Sequence, residues 1–195
     1  MNDSAAALVI KTYLFTYERI LAYLQKLSDE QIHWRPSANT HSIAWHTWHL
    51  ARWADFTQAC IPSMTPELSN RLPTGFQIWE REQFAARWGF DNAKLGFAAT
   101  GMQMPDEVAL QLVFPEKAEL LRYVELSFAA IEQSVSVIDD EQFMADEQQQ
   151  PLTEGIWGGG TVGSALLEHL VHDNRHLGMM ECLLGLQGQP GTATV

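Results

Sequence analysis

Apolar positions recur every three or four residues along most of this chain. Between residues 4 and 27, Leu8, Leu14, Phe15, Ile20, Leu21 and Leu24 step in this way, the spacing that gathers side chains on one face of a 3.6-residue helix. Ser28-Asp29-Glu30-Gln31 has the form of a capping box and opens a short helical turn. Arg35-Pro36 ends that turn, because a proline pushes the preceding residue out of the helical region. A second long helix is predicted over residues 42–59, with Pro62 and Pro66 marking its exit, and a third over residues 116–138. The fourth is predicted from Thr161, its cap, to Leu184, with Gly185 as its C-terminal stop.

Residues 67–115 break the pattern. Pro73, Gly75, Gly89, Gly96, Gly101 and Pro105 punctuate short helical runs such as 77–88. The aromatics among them (Phe76, Trp79, Phe84, Trp88, Phe90, Phe97) argue for a packed flap rather than a loose loop. An internal echo divides the chain on either side of it. Leu27-Ser28-Asp29-Glu30-Gln31-Ile32 is answered by Ile138-Asp139-Asp140-Glu141-Gln142-Phe143, and Ser42-Ile43-Ala44 by Thr161-Val162-Gly163. The pattern predicts an all-α fold: a four-helix bundle of two helical hairpins with a long central crossover excursion. At 195 residues it reads as a single domain, residues 1–195.

Charge narrows the classes of partner. Twelve basic residues stand against 24 acidic ones, and no Lys/Arg cluster offers the basic surface that nucleic acid or an anionic membrane requires. No apolar run reaches the roughly 18 residues of a membrane span, and the run at residues 5–10 is too short for a signal peptide. Cys60 and Cys182 stand alone, which fits a reducing compartment. The expectation is a cytoplasmic protein. Gly158-Gly159-Gly160 lacks a following Gly-Lys-Ser/Thr, so it reads as a hinge before the last helix rather than a phosphate loop. The apolar excursion further suggests a face that a second copy would cover, hence a homodimer.

Candidate chemistry lies in the histidines. His46 and His49 share a face of the second helix, and His169, His172 and His176 form a stripe on the fourth, so five of the seven histidines lie on two faces that can meet. His172 and His176 are one turn apart, about 6 Å along the axis, close enough to grip one ion. With His49 from the facing helix they make a three-histidine set that leaves coordination positions open, as catalytic metal sites do. Two polar stripes lining a water-filled crevice would show the same spacing. The residues between His172 and His176 are Asp173, Asn174 and Arg175, without the glutamate that serves zinc proteases as base. Trp45, Trp48 and Trp53 read as core and pocket wall. Cys60, eleven residues beyond His49, lies about 16 Å further along the helix and is outside that site.

The segments Leu27-Ser28-Asp29-Glu30-Gln31-Ile32-His33-Trp34-Arg35-Pro36, Ser42-Ile43-Ala44-Trp45-His46-Thr47-Trp48-His49-Leu50-Ala51 and Leu166-Leu167-Glu168-His169-Leu170-Val171-His172-Asp173-Asn174-Arg175-His176-Leu177-Gly178 resemble the DinB-like (YfiT-like) metalloenzyme superfamily. In that family a histidine of helix two and an HxxxH pair of helix four bind one divalent metal, which the resemblance places on His49, His172 and His176. His176-Leu177-Gly178 matches the family's His-x-Gly ending and favours this pair over His169/His172; His46, one turn before His49, either turns in as a fourth ligand or, with His169, lines the pocket or supports the ligands. The resemblance implies a divalent metal, zinc or nickel foremost, and a small-molecule substrate. It implies a transferase that activates a low-molecular-weight thiol such as bacillithiol or mycothiol; the alternative is a non-catalytic metal- or ligand-binding stress protein of the same fold. No catalytic side chain beyond the ligands is assigned.

Overall fold

Ser4, Ser28, Ser42 and Thr161 each start a helix in the computed structural model, which describes residues 4–147 and 160–190. Each hydroxyl accepts a hydrogen bond from the backbone N–H three residues on, satisfying a donor that the first turn leaves unpaired. At Ser28 the Gln31 side chain returns the bond, completing the expected capping box. The first half holds α1 (Ala5–Lys26), α2 (Asp29–His33) and α3 (Ile43–Met64). The excursion holds α4 (Pro66–Arg71), α5 (Ile78–Arg81), α6 (Phe84–Trp88) and α7 (Asp106–Ala109), and the second half α8 (Lys117–Val135), α9 (Asp140–Met144) and α10 (Val162–Leu186). The fold is all-α, with no strand among the described residues.

Every residue of α3 from Ile43 to Gln58 is buried, the mark of a helix surrounded on all sides. The long helices α8 and α10 pack against it, and α1 packs against the same two. Tyr17 of α1 stacks on Phe128 of α8 with ring centroids 4.0 Å apart. Among the four long helices, the close partners of each therefore come from the other half of the chain. The echo marks equivalent positions in chain order, but the halves interleave instead of forming two separately packed hairpins. The α2 turn and the residues after it are long enough to carry the chain across.

Two helix ends differ from expectation. Helix α3 runs through Pro62 to Met64, because the one hydrogen bond Pro62 removes falls in the last turn and that turn buries Ile61 and Met64. Helix α10 continues through Gly185 to Leu186; Gly188, with φ +76°, takes the left-handed position that ends it. The hinge expected at Gly158-Gly159-Gly160 lies outside the described residues apart from Gly160. In the excursion, Trp79 and Phe84 are fully buried and pack on Tyr123 of α8 at 5.2 and 4.7 Å, so the flap is docked as anticipated. No helix among the described residues is long and apolar enough to cross a membrane.

Candidate metal centre

The polar stripe of α3 meets that of α10 in the interior. His49, His172 and His176 each offer one nitrogen, and these atoms all lie within 4.8 Å of one another. His49 Nε2 and His172 Nε2 are 3.0 Å apart, and the His176 ring lies 4.6 Å from that of His49 and 4.5 Å from that of His172. His49 is buried; His172 and His176 are partly exposed, so solvent reaches the cluster from the α10 side.

The second nitrogens decide what the first can do. His49 Nδ1 is 2.5 Å from the Thr100 carbonyl oxygen, which can only accept, so the proton sits on Nδ1 and the lone pair on Nε2. His172 Nδ1 lies 3.3 Å from the Asp173 carboxylate, which fixes the same tautomer. Two lone pairs thus face each other at 3.0 Å, an arrangement that a cation between them relieves. Nitrogens at 2.0–2.1 Å from a tetrahedral zinc would be separated by about 3.3 Å. Burial, followed by the neighbouring imidazoles, holds His49 well below its ordinary pKa. Burial also lowers His172 to about 4 and His176 to about 3. All three are neutral at pH 7, as donors to a metal must be.

The flanking histidines divide. His46 Nδ1 contacts His176 Nδ1 at 2.9 Å, so it supports a member of the cluster from behind. His169 is buried one turn below: the Tyr13 hydroxyl, which donates to the Leu166 carbonyl, accepts from His169 Nδ1 at 3.0 Å. Asp173, fully buried between His169 and His172, accepts from the Tyr17 hydroxyl at 3.0 Å, and burial raises its pKa to about 6. Cys60 and Cys182 lie outside the cluster, as their spacing implied. Trp45 forms the wall, stacked on His49 at 4.8 Å on one side and on His41 at 4.0 Å on the other. It also borders a cavity of about 200 Å³ lined in addition by Arg35, His41, Leu112 and Phe114.

Several supporting residues were not singled out from the sequence. Thr100 and Gly101 come from the excursion: a Cβ at Gly101 would lie 2.9 Å from Trp48 and 3.1 Å from His49 Nδ1, so only glycine lets the loop approach this closely. Arg52 and Asp55, following His49 at three-residue steps, form a fully buried pair at 3.0 Å. The signal available was the His-x-x-Arg-x-x-Asp spacing at residues 49–55, which places three polar groups on one side of an otherwise apolar helix.

Known proteins place the chain in a family without adding an activity. No curated protein matches it. A solved structure described as a conserved protein from Enterococcus faecalis superposes with a TM-score of 0.60 at 18% identity, covering 94% of this chain and 99% of that one, a likeness of fold alone. The family profile of the DinB superfamily matches residues 12–180. The chain belongs to the DinB superfamily.

Proposed function

We propose that His49, His172 and His176 hold one divalent metal ion, zinc or nickel foremost, and that the chain is a metal-dependent transferase for a low-molecular-weight thiol. The observation that carries the reading is the approach of His49 Nε2 and His172 Nε2 to 3.0 Å, with a carbonyl and a carboxylate lying against their opposite nitrogens. Family membership and the three-histidine donor set support it. When bound, such a metal supplies Lewis acidity that lowers the pKa of a thiol beside it.

The chain's own residues do the rest. Thr100 and Asp173 hold the ligand tautomers, as partners on the far nitrogen do for metal-bound histidine. Stacked Trp45 and buried Trp53 keep water from the His49 side. The Trp45 cavity offers space for the body of a small substrate. A cytoplasmic setting and a homodimer belong to the same proposal; sedimentation showing only monomer at tens of micromolar would remove the dimer.

Metal analysis of untagged protein tests the binding step, with about one divalent ion per chain expected in wild type and none in His172→Ala. A screen of bacillithiol, mycothiol, glutathione and cysteine against several electrophiles, wild type beside His176→Ala, tests turnover. Metal binding with no rate above the variant would replace the transferase with a binding protein of the same fold.

A further inference from the structure

Three consecutive carbonyls of the excursion, those of Ala98, Ala99 and Thr100, turn toward α3. Arg52 Nη2 donates to Ala98 at 2.8 Å, Arg52 Nε to Ala99 at 2.9 Å, and His49 Nδ1 to Thr100 at 2.5 Å. Ala98 and Ala99 are both left-handed, with φ +46° and +54°, and Gly101 follows at +90°. A non-glycine residue in that region costs of order 1 kcal/mol and persists only where its surroundings over-determine it. Bonds within the loop set its internal turn: Phe97 N–H donates to Met102 and Gly101 N–H to Leu95, each at 2.8 Å, Thr100 N–H to Phe97 at 2.9 Å and Ala99 N–H to Gly96 at 3.1 Å. Those bonds shape the turn without tying it to α3; the α3 group that bonds the two strained residues is the Arg52 guanidinium.

That guanidinium is saturated. Its remaining donors go to Asp55 at 3.0 Å, Tyr123 at 2.9 Å and Gln77 at 2.6 Å, so all five N–H groups are used by a side chain with no exposure. Tyr123 and Asp55 also bond each other at 2.9 Å, locking the fork against α8. A planar fork fixed at both ends defines where the Ala98 and Ala99 carbonyls lie. The next carbonyl in the chain is the one that sets His49.

We propose that Arg52 is the positioning residue for His49: by clamping the Ala98–Ala99 carbonyls it presents Thr100 O to Nδ1 and so keeps the Nε2 lone pair on the side of His172 and His176. The importance of that lone pair rests on the metal-centre reading; the clamp does not. Arg52→Lys keeps a cation opposite Asp55 but cannot span both carbonyls. Gly101→Ala leaves Arg52 intact and drives a Cβ to 3.1 Å from His49 Nδ1, forcing the loop away.

The test reads the imidazole nitrogens of the full-length, metal-free protein by NMR, then titrates the same samples with Co(II). Wild-type His49 is expected to be wholly the Nδ1–H tautomer. Both variants are expected to show mixed tautomers and a Co(II) dissociation constant raised about tenfold to a hundredfold, the range for losing a ligand's outer partner. A merely structural Arg52 would lower thermal stability and leave the tautomer of the folded fraction unchanged. If Arg52→Lys does not fold, Arg52→Met combined with Asp55→Leu, which leaves no orphan charge, takes its place, and Gly101→Ala serves only to show that displacing Thr100 releases the tautomer. A wild-type Nε2–H tautomer overturns the proposal, as does retention of the Nδ1–H form in folded variants with Co(II) affinity within about twofold of wild type. Wild-type protein that takes up no Co(II) would defeat the metal-centre reading, while the tautomer comparison would still decide the clamp.

Discussion

Asp55 accepts five hydrogen bonds, and its loss should destabilise the fold by several kcal/mol. Its Oδ1 accepts from Ile78 N–H at 2.8 Å and Gln58 at 3.1 Å; its Oδ2 accepts from Trp79 N–H at 2.8 Å, Tyr123 at 2.9 Å and Arg52 at 3.0 Å. Helix α5 has no capping side chain of its own, so this carboxylate, reaching across from α3, serves its first two N–H groups. In Asp55→Ala the Arg52 charge stays buried without its counter-ion, which costs about 3–5 kcal/mol. Two stranded N–H groups cost about 1–3 kcal/mol each. The three losses share one cavity that water can enter, so they do not sum, and about 4–6 kcal/mol is expected.

Urea unfolding followed by circular dichroism measures that loss directly. At about 2–4 °C per kcal/mol for a domain of this size, the melting temperature should fall by roughly 10–20 °C. Asp55→Asn, which keeps one acceptor and loses the charge, should lie between. Replacing both partners, Arg52→Met with Asp55→Leu, should recover part of the deficit, since a matched apolar pair leaves no orphan charge. A deficit below about 1.5 kcal/mol in Asp55→Ala would refute the reasoning, because a network holding the flap cannot be that dispensable.

Acidification should destabilise the metal-free protein: burial lowers His172 to about 4 and His46 and His176 to about 3, against about 6.5 unfolded. The unfolded chain then binds more protons between those values, so stability present above pH 6.5 drains at up to about 1.4 kcal/mol per pH unit per histidine as pH falls toward 4; urea midpoints unchanged from pH 7 to pH 5 would contradict this. Gly163→Ala should cost about 1–3 kcal/mol despite alanine's better helix propensity, because its Cβ would lie 2.4 Å from the Phe143 ring; a variant as stable as wild type would show that Phe143 yields. Of the two cysteines, exposed Cys182 should react with a disulfide reagent at pH 8, while Cys60, pushed up to about 12 by burial and then by Glu147, should react only on unfolding. Two equally fast thiols would refute that.

The parts of the fold legible in the sequence are those whose causes are local. A hydroxyl at Ser28, Ser42 or Thr161 bonds an amide three residues away, so the helix start is written where it occurs. His172 and His176 share a face by spacing alone. Helix ends were harder, because they depend on what the last turn buries: Pro62 and Gly185 look like stops, yet buried Ile61, Met64, Leu183 and Leu184 carry each helix past them. The partition into hairpins failed for the same reason. Chain order is local, whereas which long helix lies beside which is settled by the whole set of apolar faces.

The excursion was opaque because its small helices borrow their support. Helices α5 and α6 span four and five residues and have no side-chain cap of their own, lengths that do not persist in water alone. Yet α3 contained the clue. A helix apolar nearly all round that still carries His49, Arg52 and Asp55 at three-residue steps covers about 120° of its surface with groups that cannot be buried unpaired. Neither α8 nor α10 could satisfy so many donors and acceptors with their own backbones, whose bonds are spent within the helices. Irregular chain can, because its N–H and C=O groups are uncommitted. The polar stripe therefore requires a loop to lie along it, and residues 77–79 and 98–100 fill that place. The excursion thus supplies the part of the histidine cluster's support that regular helices cannot, and its irregularity follows from that task.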